Sequence, residues 1–182
     1  MRINRFNVSQ MSNHEIASLC RRSELDIQSY RQSVQPIIDD VRVHGNQAIV
    51  EYTAQLDKVN VDIGSIKVTE REFEEAEACL DMTMKEVIQR SAKNIRQFHE
   101  AQMPKATWFE QIEPGILAGE KITPIASIGL YVPRGKGSFP SVMLMLCIPA
   151  SVTKVPHVAV CTPPTPQGTV DHASLFAAQV RV

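Results

Sequence analysis

Over the first hundred positions, apolar residues recur at intervals of three and four, the period of an amphipathic helix. Asn13–Cys20 forms a short helical segment behind Ser12 or Asn13, either of which can accept the orphan amide hydrogens of a first turn. Ser23–Tyr30 reads as a second short helix. Between Val34 and Leu56, the residues Ile37, Ile38, Val41, Ala48, Ile49, Tyr52 and Leu56 keep the helical period. They are interrupted at Gly45-Asn46, a pair suited to a left-handed turn between two helices. Thr69 and Glu72 stand at the spacing of a capping box. Behind them Phe73, Ala76, Leu80, Met84, Val87, Ile88, Ile95 and Phe98 share one face of a predicted single helix, running from Glu70 to about Ala101 and ending ahead of Pro104. That stripe is core and carries no cofactor box.

Beyond Pro104 the period changes. Ala106–Ile112 and Ile116–Pro124 flank Pro114-Gly115 and predict a β-hairpin. Ile125–Val132 is a nearly continuous apolar run, the pattern of a parallel strand buried on both faces. A glycine-bearing loop follows, then an apolar helix from about Pro140 to Val152, then a second buried strand over Val155–Thr162. The last helix opens near Thr169-Val170-Asp171 and is expected to run to Val182. The fold class is therefore α/β. A helical N-terminal region with a short hairpin (1–124) precedes the start of an incomplete Rossmann-like parallel-sheet domain (125–182). A mononucleotide-binding half needs a third strand, and Val180-Arg181-Val182 has neither cap nor turn residue, so the ending reads as truncation. The Val155–Thr162 strand would then carry an unpaired edge.

Composition alters this picture little. A chain of 182 residues with 43% hydrophobic and 21% charged residues can bury one good-sized core. Its formal net charge of -1 gives no reason to expect a nucleic-acid partner. No apolar run reaches the ~18 residues of a membrane span, and MRINRFNVSQ has no apolar core of a secretion signal. Cys20, Cys79, Cys147 and Cys161 are scattered, and read as reduced, mostly buried thiols of a cytoplasmic protein.

Ligands of open parallel sheets bind at the carboxyl ends of the strands. The loop Tyr131-Val132-Pro133-Arg134-Gly135-Lys136-Gly137 is therefore the candidate cofactor contact. Its glycines admit a phosphate to the backbone, the next helix adds a positive dipole end, and Arg134 and Lys136 add charge. The loop matches neither a GxGxxG nor a P-loop pattern, and spacing alone favours a tight loop with two solvated cations. His157 and Cys161 share one face of a strand, but two ligands do not make a zinc site. Glu72, Glu74, Glu75, Glu77 and Asp81 suit a helix start and a solvated face. No catalytic constellation emerges from spacing.

A longer comparison of residues is more telling. Gly129-Leu130-Tyr131-Val132-Pro133, Phe139-Pro140-Ser141, Leu144-Met145, Ile148-Pro149-Ala150 and Val160-Cys161-Thr162-Pro163-Pro164 resemble the histidinol dehydrogenase family. So do Asp40-Val41-Arg42, Gly45, Ala48, Glu51-Tyr52-Thr53 and Asp57, and then Asn94-Ile95, Phe98-His99 and Gln102. The resemblance implies a zinc-dependent homodimer that oxidises an alcohol to a carboxylate with NAD, as in L-histidinol to L-histidine. It implies that Tyr131 contacts NAD, with Pro133, Arg134 and Gly135 beside it in the cofactor loop. The family's zinc ligands and its glutamate–histidine acid/base pair are implied to lie beyond this sequence. No residue here takes a metal or catalytic role, and the chain alone is expected to be inactive. Two departures stand out. Pro133-Arg134-Gly135-Lys136-Gly137 replaces the usual Pro-Gly-Gly and is more similar to the branch that oxidises other small alcohols, such as 2,3-dihydroxypropane-1-sulfonate. Lys154-Val155-Pro156 replaces an Ala-Gly-Val turn. A reading of another class, a non-catalytic nucleotide-binding or interaction module, also fits the helices and half sheet.

Overall fold

The computed structural model describes residues 5–20, 27–134 and 137–180. The chain divides into two compact units, Met1–Gly45 and Asn46–Val182.

In the first unit, α1 (Asn13–Cys20) is capped by Ser12. The Ser12 hydroxyl accepts from the Glu15 amide at 3.3 Å, while the Glu15 carboxylate accepts from the Ser12 amide at 2.8 Å. This reciprocal pair satisfies two donors that the helix start would leave open. α2 (Ile27–His44) is one helix, and Pro36 lies inside it. The separate helix expected over Ser23–Tyr30 is therefore corrected: Ile27–Tyr30 form the first turn of α2, and 23–26 lie outside the described residues. α2 ends at Gly45, whose φ of +58° is the left-handed stop that the Gly45-Asn46 pair predicts.

The second unit begins with α3 (Asn46–Tyr52), which passes into a turn of π-helix over Thr53–Asp57 and ends at Lys58 in the left-handed region. The predicted single helix after Thr69 is instead two, α4 (Glu70–Cys79) and α5 (Met82–Ala101). The capping box at Thr69 and Glu72 is present, with Glu72 Oε2 accepting from the Thr69 amide at 2.7 Å. The break falls at Leu80-Asp81. Asp81 takes extended backbone and accepts from the Met84 amide at 2.8 Å, so it starts a new helix where the apolar period alone runs on. The stripe is core in part: Ala76 and Ile88 are buried, whereas Met84, Val87 and Phe98 are exposed.

β1 (Thr107–Glu113) and β2 (Ile116–Lys121) form the predicted antiparallel hairpin, with a bulge between Gln111 and Glu113 and Gly115 at φ +85°. Only glycine fits at position 119, where a Cβ would fall on the Trp108 carbonyl and lie 2.7 Å from Phe109 Cδ1. β3 (Ser127–Tyr131) and β4 (His157–Cys161) pair in parallel, with Ser127 opposite His157 and Tyr131 opposite Cys161. α6 (Pro140–Val152) crosses between them. α7 (His172–Gln179) follows β4 and ends at Gln179, short of the expected Val182; 181–182 lie outside the described residues.

The core is a helical layer. Ile88 and Ala92 of α5, Met143, Leu144, Ile148 and Val152 of α6, and Phe176 and Ala177 of α7 are buried together with Val132. α4 packs on α7. The expectation of two buried strands is corrected. Leu130 is buried in β3, but every residue of β4 is exposed, Val158 and Val160 among them. A parallel strand is buried when helices cover both its faces and strands flank it. Here the described residues supply two strands and one helical layer. The thiols follow the same logic: Cys20, Cys79 and Cys161 are exposed instead of buried, and Cys147 is half-buried.

Candidate functional site

β3 and β4 finish level with each other, and the Val132 amide donates to the Cys161 carbonyl at 2.9 Å just past the pairing. The loops that leave these two ends therefore start side by side, the arrangement in which parallel sheets hold ligands. Tyr131 is 62% exposed, so its ring is free to lie against a ligand instead of packing on α6. Val132 beside it is buried and anchors the strand end. Pro133 is exposed and Arg134 half-buried. Gly135 and Lys136 lie outside the described residues.

Two links fasten the β3 loop to the segment that follows β4. Arg134 Nη1 donates to the Pro164 carbonyl at 3.1 Å, across 30 residues of sequence. The Ser138 hydroxyl donates to the Asp171 carboxylate and lies 3.4 Å from Ser174 Oγ. Asp171 also caps α7 by accepting from the Ser174 amide at 2.9 Å. Its carboxylate thus occupies the α7 N-terminus. α6 differs: Phe139 provides no side-chain cap, and Pro140 opens its first turn. The amino end of α6 accordingly keeps a positive dipole end with no side-chain cap among the described residues.

A recess of about 370 Å³ opens at this end of the strands, between Asp57, Lys58 and Val59 on one side and Arg134, Pro163 and Pro164 on the other. A larger cavity of about 780 Å³ lies under the same strands toward their amino ends, among Arg96, Ser127, Ser151, Lys154 and His157. It is the hollow between the helical layer and the open sheet, away from the carboxyl ends that carry the candidate loop.

The sequence places Tyr131, Pro133 and Arg134 at this end, and the structure brings them together there. It adds residues that periodicity does not single out. Asp171 has a local signal, a capping residue three positions ahead of Ser174. Pro164 and Ser138 have none, since each owes its place to a contact distant in sequence, and Lys58 is set by a π-turn that the apolar period does not report. His157 and Cys161 are both exposed at opposite ends of β4. Among the described residues no three of His, Cys, Asp and Glu gather as metal ligands, so these residues do not build a zinc centre. Also among them, no helix is long and apolar enough to cross a membrane.

A strand–helix–strand–helix unit with an open tyrosine and a pinned, cation-bearing loop at its strand ends defines an α/β protein with the start of a parallel sheet. Comparison with known proteins makes the assignment specific. The histidinol dehydrogenase family model matches residues 20–181, and the chain belongs to that family of oxidoreductases. A histidinol dehydrogenase homolog of Rhizobium meliloti is 46% identical over 175 residues, covering 96% of this chain and 38% of the relative. The histidinol dehydrogenase of Synechocystis is 39% identical over 173 residues, covering 95% and 40%. The crystal structure of histidinol dehydrogenase from Elizabethkingia anophelis superposes with a TM-score of 0.79 at 28% identity, covering 93% of this chain and 39% of that one. The chain thus spans about two-fifths of the length of the relatives it matches.

Proposed function

We propose that these residues form the amino-terminal, nucleotide-binding portion of an NAD- and zinc-dependent oxidoreductase that converts an alcohol to a carboxylate, of the L-histidinol to L-histidine type. The observation that carries this reading is the match over residues 20–181 together with the open Tyr131 at the paired strand ends. Tyr131, Pro133, Arg134 and Gly135 hold the cofactor, which when bound accepts hydride. Tyr131 offers a ring face and a hydroxyl donor, while the start of α6, which has no side-chain cap, offers its positive dipole end to a phosphate. The described residues do not fit zinc, so no step is assigned to it here. In this reading residues 1–124 are a helical region and 125–182 the start of the nucleotide domain. The whole enzyme works as a cytoplasmic homodimer on a small alcohol.

A second substrate reading has its own support. Arg134 stands in the loop, and the relative at 46% identity is named a homolog. Both favour a small alcohol other than histidinol, such as 2,3-dihydroxypropane-1-sulfonate.

The test is calorimetric titration of NAD into the 182-residue chain and into Tyr131→Ala. The parent is expected to bind, with about tenfold weaker binding by the variant. Binding that is absent, or indifferent to Tyr131, overturns the cofactor assignment. With histidinol, zinc and NAD supplied together, the chain is expected to make no NADH; sustained production would show that catalysis resides within these residues.

A further inference from the structure

We propose that the recess between the Asp57–Val59 turn and the strand-end loops is an oxyanion subsite, with Arg134 as its main cation and Lys58 as its second. It takes a tetrahedral phosphate-type group of the ligand. Its place in the fold rests on the nucleotide-end reading above; its chemistry rests on the charges of this chain.

Arg134 is the clearest sign. Its side chain is half-buried, its Nη1 spends one donor on the neutral Pro164 carbonyl, and its Nε is shielded from solvent without an acceptor. Arg42, Arg71 and Arg96 each stand within 4.0 Å of a carboxylate, but among the described residues Arg134 forms no ion pair. A cation drawn out of water is ordinarily matched by an opposite charge. An anion in the recess supplies that partner, and a planar guanidinium suits the oxygens of a phosphate.

Lys58 is delivered by local structure. The π-turn over Thr53–Asp57 ends with Lys58 at φ +61°, an uncommon conformation for a residue with a side chain. Its Nζ donates to the Gln55 carbonyl at 2.7 Å, leaving two of the three ammonium hydrogens for another acceptor. Among the described residues Asp57 is the one acid lining the recess, and their side chains there sum to a single positive charge.

The walls are preformed. Pro163 and Pro164 have restricted backbones and no amide donors of their own. Thr165 is buried and accepts from Gly168 at 2.8 Å, closing a turn. Gly168, at φ +81°, sets that turn beside the segment after the π-turn, where a Cβ would stand at ordinary contact distance, 3.6 Å from the Asn60 carbonyl and 3.7 Å from Val61 Cγ1. The loop after β4 and the segment after the π-turn are thereby held together, with the cations on the recess they enclose.

Pyrophosphate titrated calorimetrically into the full chain at low salt tests the subsite. Binding is expected, weakened at least tenfold in Arg134→Gln and about threefold in Lys58→Gln, and strengthened in Asp57→Asn. If pyrophosphate fails to bind the parent, or binds a folded Arg134→Gln equally well, the subsite is refuted. Should Arg134→Gln not fold, unchanged affinity in both Lys58→Gln and Asp57→Asn refutes it instead. Competition with NAD identifies the dinucleotide as the source of the oxyanion; binding without competition assigns it to the substrate. NAD binding that depends on Tyr131 while pyrophosphate does not bind leaves the cofactor reading standing and removes the subsite. The converse result removes the cofactor reading alone.

Discussion

Leu144 offers the sharpest measure of what holds the second unit together. It is 2% exposed and packs within the α5–α6–α7 layer, among Ile88, Ala92, Phe176 and Ala177. Leu144→Ala removes three buried carbons, about 2.4 kcal/mol at ~0.8 kcal/mol for each. A cavity term adds to this, and Leu→Ala changes in tightly packed cores cost roughly 2.7–5.0 kcal/mol in total. Ala92 and Ala177 are too short to collapse into the space, so we expect a loss of about 3–4 kcal/mol. With a urea dependence of ~2 kcal/mol/M, the unfolding midpoint falls by roughly 1.5–2 M. Far-UV circular dichroism in urea measures it directly. Met145, the next residue on the same helix, is 61% exposed, and Met145→Ala should shift stability by no more than ~0.5 kcal/mol. Equal shifts for the two variants, or a Leu144→Ala loss below ~1 kcal/mol, would refute a packed core centred on α6.

Asp81→Ala removes the cap that starts α5, and should cost about 1 kcal/mol in the same urea assay, with Asp81→Ser restoring most of it. Failure of Asp81→Ala to destabilise would mean that the helix break has another cause. Glu15 is held below the ordinary glutamate pKa, first by the hydrogen bond from the Ser12 amide and second by that from the Ser12 hydroxyl. A depressed folded value means that the stabilisation is present above the unfolded pKa and is lost as pH falls through the folded one. The α1 start should therefore fray only in the acid range. By NMR titration the Glu15 midpoint should rise in Ser12→Pro, which removes both donors, and an unmoved midpoint would rule out the Ser12 pair as the cause.

Local signals read well from the residues. Capping at Ser12 and Thr69, the Gly45 stop, the Pro114-Gly115 hairpin and the order of the two parallel strands depend on neighbours a few positions apart. The missed break at Leu80-Asp81 shows where such reading goes astray. The apolar period continues through it, and only the competition between helix propagation and the Asp81 side chain as acceptor decides the outcome. The candidate site divides the same way. Tyr131 and its loop follow from the pattern of a strand and then glycines. The hold on that loop comes from Pro164 and Asp171, about 30 residues further on, and the recess from Lys58, more than 70 residues earlier. No periodicity reports a contact at those separations.

The unequal burial of the two ends of the β3–β4 sheet bears on what the chain does. α6 is apolar all round and both strands are apolar on both faces, yet Met145, Val158 and Val160 remain 61%, 41% and 37% exposed. Such sequences reach full burial only when covered from two sides, and the matched relatives are about two and a half times longer than the aligned segment. The ligand end is different. Arg134 to Pro164, Ser138 to Asp171, and Gly168 against Asn60 are all contacts made by residues of this chain. A preformed ligand end beside an uncovered sheet separates two properties of the proposed function. The proposed nucleotide binding draws only on the first, whereas the proposed turnover would also call on acid/base and metal groups, and the described residues gather no three of His, Cys, Asp and Glu as metal ligands. On the proposed function, the chain is expected to bind NAD and pyrophosphate and to make no NADH, which the titrations and the turnover assay above check.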